Sequence, residues 1–443
     1  MSREQDRIRR KLEKNPVMEC NKIRQKYCPD LFRDFADTKD PRHLSYTDYS
    51  NKEMLATAFY KGIAGIKSMQ SMTYEFNREE IVKNLYRFMG EKEKAYLPHG
   101  VTLNEYLERL EPEELQKVQQ KQVYGLIRGK AFYNARFRKK WLVIVDGTQM
   151  YSGGRKLNEG CLERHYKKGT EEEKVNYHCD VLEAKIVLGE QLIVSIGSEF
   201  IENNGEDAEA QKEMGEEERK QDCETKAFKR LAQKLKKAFP RLPVILLADS
   251  LYASEPVMET CRNNQWDYII RYKTGSIPSI TEEYEKIPEK GIKGHAEYVN
   301  EIDHNGNPVN MLCDWEEKKV KGEIVRTEFQ WLTNIEITKR NAEKIAETGR
   351  KRWKIENEGF NRQKNWQGDI THACSWNAKA MKNHYLMTQT ADMVKQLYEW
   401  FYLKKNEIRK KQKNISSDLL ASFARQLTRE DISTVEENKK TFN

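Results

Sequence analysis

Through the first 135 positions, apolar residues recur every three or four places, and at Trp141 the period changes. Asn51–Gln70 (NKEMLATAFYKGIAGIKSMQ) places its apolar side chains on one helical face, with Ser50 or Asn51 as the N-cap. Arg78–Met89 and Leu103–Leu126 keep the same spacing, and Leu97-Pro98-His99-Gly100 breaks the pattern between them. Leu142–Val145 is instead a continuous apolar run, which predicts a short buried strand ending at Asp146. Tyr177–Leu188 and Gln191–Ile201 predict two more strands joined by a tight turn at Gly189-Glu190. A basic amphipathic helix is expected over Asp222–Ala238, closed by Pro240. Pro243–Ala248 (PVILLA) is a second apolar run ending on a carboxylate, Asp249. A helix over Glu255–Asn264 and a strand over Tyr268–Tyr272 follow.

The order β-β-β-α-β-α-β predicts an α/β fold, an RNase H-like mixed sheet with two hairpin strands ahead of the crossovers. His295–Ile302, Val309–Glu316 and Glu323–Thr333 alternate apolar and polar residues, and Asn305-Gly306 is a hairpin turn signal, so an antiparallel β insertion is expected. Helical periodicity returns at Thr338 and runs, with a break at Gly349, to about Trp366. Ser375–Tyr402 and Ser416–Leu427 predict further helices. The resulting division is a helical DNA-binding region over 1–135, a first part of the core over 136–275, the β insertion over 276–337, a second part of the core over 338–402 and a helical, basic tail over 403–443.

A chain of 443 residues has room for two to four domains. It has no apolar run near the roughly 18 residues of a membrane span. Met1–Asp6 lacks the apolar core of a signal peptide, so a cytoplasmic location is expected. Eight cysteines are scattered without any C-x-x-C pair, which argues against zinc ribbons and redox motifs. His178 and Cys179 are neighbours on a strand and point to opposite faces, so they do not chelate one ion together. The net charge of +8 is gathered into basic clusters at Arg7–Lys14, Arg136–Lys140, Lys234–Arg241, Arg350–Lys354 and Lys404–Lys413, with an acidic stretch at Glu206–Glu218. Each cluster alone reads as a solvated helix face; five together favour a nucleic-acid track.

The chemistry concentrates on two strand-end carboxylates and one helix. Open α/β sheets place their sites beyond the carboxyl ends of the strands. Asp146 and Asp249 on neighbouring strands would share divalent ions, and hard oxygen ligands suit Mg²⁺ or Mn²⁺. Two ions serve in-line phosphoryl displacement by activating the attacking oxygen and stabilising the leaving one. In Arg350–Lys364 (RKRWKIENEGFNRQK), Arg352, Glu356 and Phe360 share one helical face, with Gln363 close to it. Glu358 lies about 200° away, so Glu356 is the better third ligand. Arg352, one turn earlier, would contact phosphate while bracing that carboxylate. The plain alternative for Arg352 and Glu356 is an i,i+4 surface pair.

Val145-Asp146-Gly147-Thr148, Leu247-Ala248-Asp249-Ser250-Leu251-Tyr252 and Arg352-Trp353-Lys354-Ile355-Glu356 together resemble the DDE transposases of bacterial insertion sequences. The matching branch carries a β-stranded insert before the Glu helix, and Asp40–Tyr46 (DPRHLSY) is similar to its lead-in. The likeness spans about residues 30–400, with the acidic residues 103 and 107 positions apart. It implies an RNase H-like catalytic core, two Mg²⁺ ions, and cleavage of double-stranded DNA at transposon ends by a homodimer, in a bacterial, nucleoid-associated setting. It also implies joining of the 3′ ends to target DNA. The alternatives are a nuclease without strand transfer and a captured transposase that only binds DNA. Relatives carry Tyr-x-x-Arg-x-x-x-Glu-x-x-x-x-x-x-Lys. Arg352 and Glu356 match it, whereas Gly349 stands for the Tyr and Gln363 for the Lys, with Lys364 next door. Arg350, Lys364 and Trp331 are candidate DNA contacts, Trp331 as a base-stacking platform or, more plainly, a core residue. His372 is a candidate to touch the site but is expected to cap or pack, Asp222 and Glu224 are expected to favour a helix N-terminus, and Asp180, Glu183 and Glu199 are candidate accessory ligands that solvent-facing strand positions explain more plainly.

Overall fold

The computed structural model describes residues 15–43, 45, 47–203, 222–320 and 323–427. The basic cluster Arg7–Lys14 and the acidic stretch Glu206–Glu218 lie outside the described residues. Asn15 caps α1 (Pro16–Tyr27), and α2 (Leu31–Asp37) follows. The long helix expected over Asn51–Gln70 is two helices. α3 (Asn51–Ile63) opens with a full capping box between Ser50 and Glu53, and α4 (Met69–Phe76) restarts behind a Ser68 cap. α5 spans Glu79–Met89. The expected Leu103–Leu126 helix also divides, into α6 (Gly100–Arg109) and α7 (Pro112–Arg128), because Pro112 lacks an N–H and opens a new helix in its first turn.

The described strands form one ten-stranded sheet. Its catalytic-type half comprises β1 (Trp141–Gly153), β2 (Leu162–Tyr166), β3 (Lys174–Val187), β4 (Ile193–Ile201), β5 (Val244–Ala248) and β6 (Asp267–Tyr272). β3 is antiparallel to β1, and β4 is antiparallel to β3. β5 is parallel to β1, and β6 is parallel to β5. This is the RNase H-like order expected from the sequence. α8 (Glu224–Ala238) and α9 (Glu255–Asn264) are the crossovers. Past α10 (Pro278–Lys286) come β7 (Gly291–Lys293), β8 (Ala296–His304), β9 (Asn307–Val320) and β10 (Glu323–Thr333). β10 pairs with β6, so these strands continue the central sheet instead of forming one of their own. Neither α10 nor β2 was expected; β2 has the sequence LERHY, mostly exposed, and carries no apolar signal.

α11 (Ala342–Arg350), a tight turn at Lys351–Trp353, a π turn at Ile355–Phe360 and α12 (Asn361–Trp366) make one continuous helical rod. α13 (Ala378–Tyr398) and α14 (Gln412–Phe423) complete the described chain. One sheet face, with Leu142, Ile144, Ile245 and Leu247, packs under this rod through Ile345, Ile355 and Phe360. The other face, with Val143, Val145 and Leu246, packs on α8, in a core shared with α1–α7 and the C-terminal helices. No described helix is long and apolar enough to cross a membrane.

Candidate functional site

β1 does not stop at Asp146. It runs on to Gly153, paired with β3, with Thr148 and Met150 buried and Gln149 between them half-buried. The continuous apolar run ends at Val145, but the backbone ladder continues. β5 stops at Ala248, with Asp249 still extended at φ −84°, ψ −175°. In the parallel β1–β5 pair, Trp141 lies beside Val244 and Ile144 beside Leu247. Asp146 and Asp249 each follow the last paired row by two residues, and the Asp249 charge acts on the Asp146 carboxyl.

The helical rod sets Arg352 on Asp146. The Arg352 Nη1 lies 3.3 Å from the Asp146 Oδ2, and the Gly147 N–H donates to the other oxygen at 3.1 Å. Burial pushes the Asp146 carboxyl up to about 6; Arg352 pulls it down, and Asp249 and Glu224 push it further up. Glu356 is half-buried one turn after Arg352, but the three carboxylates do not converge. Among the described residues no group of three His, Cys, Asp or Glu side chains comes together at metal-binding distance. The carboxylates of Asp146 and Asp249, hard oxygen donors near one another, fit a divalent cation such as Mg²⁺ or Mn²⁺, and Glu356 lies one turn beyond Arg352 on the rod that covers them.

Residues 220–388 match the family model described as the transposase DDE domain. Over those residues the chain is similar to transposase DDE domains. The match includes Asp249, Arg352 and Glu356 and begins after Asp146. Among solved structures, a cryo-EM structure of the piggyBac transposase synaptic complex with hairpin DNA is similar at a TM-score of 0.43 and 11% sequence identity, covering 96% of this chain and 85% of that one. No curated protein matches.

Each departure of the chain from the signature expected of the resemblance has a structural cause. Gly349 packs on Trp331, and a Cβ there would lie 2.4 Å from the indole Nε1. Trp331, 1% exposed, occupies the room a Tyr at 349 would need. Its ring has no open face for a base; Phe329 stacks on it at 5.9 Å, and the guanidiniums of Arg271 and Arg350 lie over the pair. The exposed indole beside the site is Trp353 (54%), with the Arg352 guanidinium 4.4 Å from its ring centre. Gly349→Tyr is therefore expected to lower stability by several kcal/mol through overpacking, and Gly349→Tyr with Trp331→Ala to recover part of it. Denaturant midpoints of the two variants check this, and equal midpoints would contradict the steric account.

The Lys position is decided by the π turn. The Asn361 N–H donates to the Glu356 carbonyl, five residues back. A π turn holds one residue more than an α turn, so everything beyond it rotates by about 100° relative to an unbroken helix. Gln363, expected near the Glu356 face, is fully buried instead and donates to Gln389 and Asp392, each at 2.8 Å. Lys364 takes the angular place that an α-helix would give residue 363; it is half-buried, with its Nζ 5.7 Å from the Phe360 ring centre.

Arg350 pairs with Asp314 at 2.7 Å. His372 shares a small cleft with Lys61, Asp369 and His384. Glu183 and Glu199 are buried, not solvent-facing, because β3 and β4 are covered on both sides. Glu183 accepts from Ser198 and Tyr385, and Glu199 is held by Arg230 and Lys234. Asp180 pairs with His178 at 2.8 Å. Asp222 holds Arg230 at 2.5 Å, whereas Glu224 turns to the strand ends, where its carboxylate lies against Gly147.

Proposed function

We propose that this DDE domain cuts double-stranded DNA at the terminal inverted repeats of an insertion sequence and joins the freed 3′ ends to target DNA. The observation that supports the reading is that Asp146 and Asp249 follow the paired ends of β1 and β5, with the Asp249 charge acting on Asp146 and Arg352 bonded to Asp146. Asp146, Asp249 and Glu356 would hold Mg²⁺ or Mn²⁺, two ions per site. When bound, the ions supply Lewis-acid stabilisation of the attacking and leaving oxygens of phosphoryl transfer. Arg352 presents a planar fork to a phosphate beside the carboxylates and holds Asp146 in its rotamer. Lys364 and Arg350 extend the cationic surface along the rod. The site faces two DNA partners, transposon end and target, and a homodimer would bring two such ends together.

Residues 1–135 are proposed to read the end sequence, with binding that weakens steeply with salt through counterion release. α1–α7 share their core with α13 and α14, so deleting them would open that core. Surface Lys and Arg substitutions on these helices are the appropriate test. A captured protein that only binds DNA is disfavoured by the retained carboxylates; a nuclease without strand transfer would share the same site. A plasmid carrying the gene with its native flanking DNA, incubated with protein and Mg²⁺, separates the three. Cleavage plus joined products supports transposition, cleavage alone the nuclease, and neither the binding protein. On that substrate Arg352→Lys is expected to slow cleavage partially and Arg352→Ala by about 100-fold or more. A wild-type single-turnover rate for Arg352→Ala would reduce its contact with Asp146 to a structural pair.

A further inference from the structure

The β1–β5 ladder is paired only as far as Ile144 and Leu247. Asp146 and Asp249 stand two rows beyond that, where no backbone hydrogen bond joins the two strands. A third element closes the gap from the face opposite Arg352. Glu224, the first residue of α8, reaches under both strand ends. On the β1 side its carboxylate lies against Gly147: a Cβ at 147 would be 2.5 Å from the Glu224 Oε1 and 2.6 Å from its Cδ. On the β5 side the Tyr252 hydroxyl donates to the Glu224 Oε2 at 2.8 Å. Tyr252 ends the tight turn Ser250–Tyr252, whose first N–H groups are organised by Asp249 itself; the Leu251 N–H donates to the Asp249 Oδ1 at 2.8 Å. The Tyr252 ring is fully buried edge-on against Phe228, one turn along α8 from Glu224. α8 is pinned in turn by Arg230, which binds Glu199 of β4 at 2.6 Å and Asp222 at 2.5 Å.

We propose that Glu224 is a positioning residue of the DDE site, which ties the strand end bearing Asp146 to the turn bearing Asp249 and so fixes the spacing of the two carboxylates. The inference rests on the reading of those two residues as metal ligands. It explains two residues that no metal ligation requires. A glycine follows Asp146 because Glu224 occupies the place of its Cβ. A tyrosine stands three residues after Asp249 because its hydroxyl is the far end of the tie. The mechanism resembles the way groups behind metal ligands generally act, by orienting the ligating oxygens, and their loss typically weakens metal affinity about 10- to 100-fold.

The test measures Mn²⁺ binding to the full-length protein by electron paramagnetic resonance of the free ion, beside the melting temperature of each variant. Asp146→Asn and Asp249→Asn are the reference variants. Tyr252→Phe keeps the ring and removes only the donor; Glu224→Gln keeps the size and removes the charge. Each is expected to weaken Mn²⁺ binding by about 10-fold or more, with the fold retained. Gly147→Ala is expected to do the same by displacing Glu224. Added to Glu224→Ala, it should cost little further, because the group it collides with is gone. Wild-type Mn²⁺ affinity in both Tyr252→Phe and Glu224→Gln, with binding still dependent on Asp146 and Asp249, overturns the inference and leaves the site reading intact. Mn²⁺ binding that ignores Asp146→Asn and Asp249→Asn overturns the site reading, and the inference with it. Lower melting temperatures with unchanged Mn²⁺ affinity also overturn it, since a purely structural tie would behave that way.

Discussion

Asp146→Asn, Asp249→Asn and Glu356→Gln are each expected to slow DNA cleavage by at least about 1000-fold, the loss of several kcal/mol of transition-state stabilisation. Each substitution preserves size and removes the charge that would hold a cation, so binding of end DNA should change little. The prediction is sharpest for Glu356, because among the described residues the three carboxylates do not gather at metal-binding distance. Near-wild-type cleavage by Glu356→Gln would remove it from the ligand set and leave the two strand-end aspartates as the centre. Asp146 supplies a second readout that needs no DNA. Burial, with Asp249 and Glu224 adding to it against the pull of Arg352, pushes its carboxyl up to about 6. A carboxyl whose folded value is raised contributes stability below its unfolded value, and that contribution is lost as pH rises through about 6. At pH 7 the ionised Asp146 is therefore a burden on the metal-free fold. In chelating buffer Asp146→Asn should melt no lower than wild type, and above it if Arg352 finds another partner. A clear drop in melting temperature would contradict this.

Arg362→Leu is expected to destabilise the fold by about 3–5 kcal/mol, because it leaves buried carboxylates without their counter-charge. Arg362 sits on α12 directly after the π turn and is buried against α13 and the segment that follows it. Its Nε donates to Asp392 at 2.9 Å and its Nη1 to Glu399 at 2.6 Å. Asp392 also accepts from Gln363 and Gln396, at 2.8 and 2.9 Å. Burial alone would raise the Asp392 carboxyl, but Arg362, Lys185 and these hydrogen bonds outweigh it and hold it below the usual range. Its stabilisation is thus present above the ordinary carboxylate range and is lost as pH falls through the lowered folded value. Without Arg362 the acid-unfolding transition should move to higher pH. Arg362→Leu combined with Asp392→Leu should cost less than the single change, since the orphaned charge goes with its partner. Urea denaturation and an acid titration of the three proteins decide it; additive losses would show that the two side chains do not act as a pair. The same network makes Gln363→Lys destabilising, because it would bury a cation beside Arg362, and near Gln389, which already accepts from Lys185 at 2.6 Å. A signature-based repair at 363 is therefore misplaced in this chain.

The sequence by itself determined the order of the core strands and both aspartates, because a buried strand with hydrophobic cover on each face must be an apolar run, and such runs end at Asp146 and Asp249. It also determined the crossover helices, whose apolar period and flanking prolines are local signals. Three things were decided only by tertiary structure. The extent of β1 beyond Asp146 depends on pairing with β3, and the mixed segment Gly147–Gly153 carries too short an apolar pattern to announce it. The helical phase around Glu356 depends on a π turn that no residue of IENEGF announces; arithmetic at 100° per residue therefore placed Gln363 at the site and sent it, in the fold, into the core. Glu224 read as an ordinary acidic first turn, since its neighbours in sequence are solvent and helix. Its partners Gly147 and Tyr252 lie far away along the chain and meet it only when α8 docks beneath the strand ends. Local periodicity records which face of an element is buried; it carries no record of which distant side chain fills the space left by a missing Cβ.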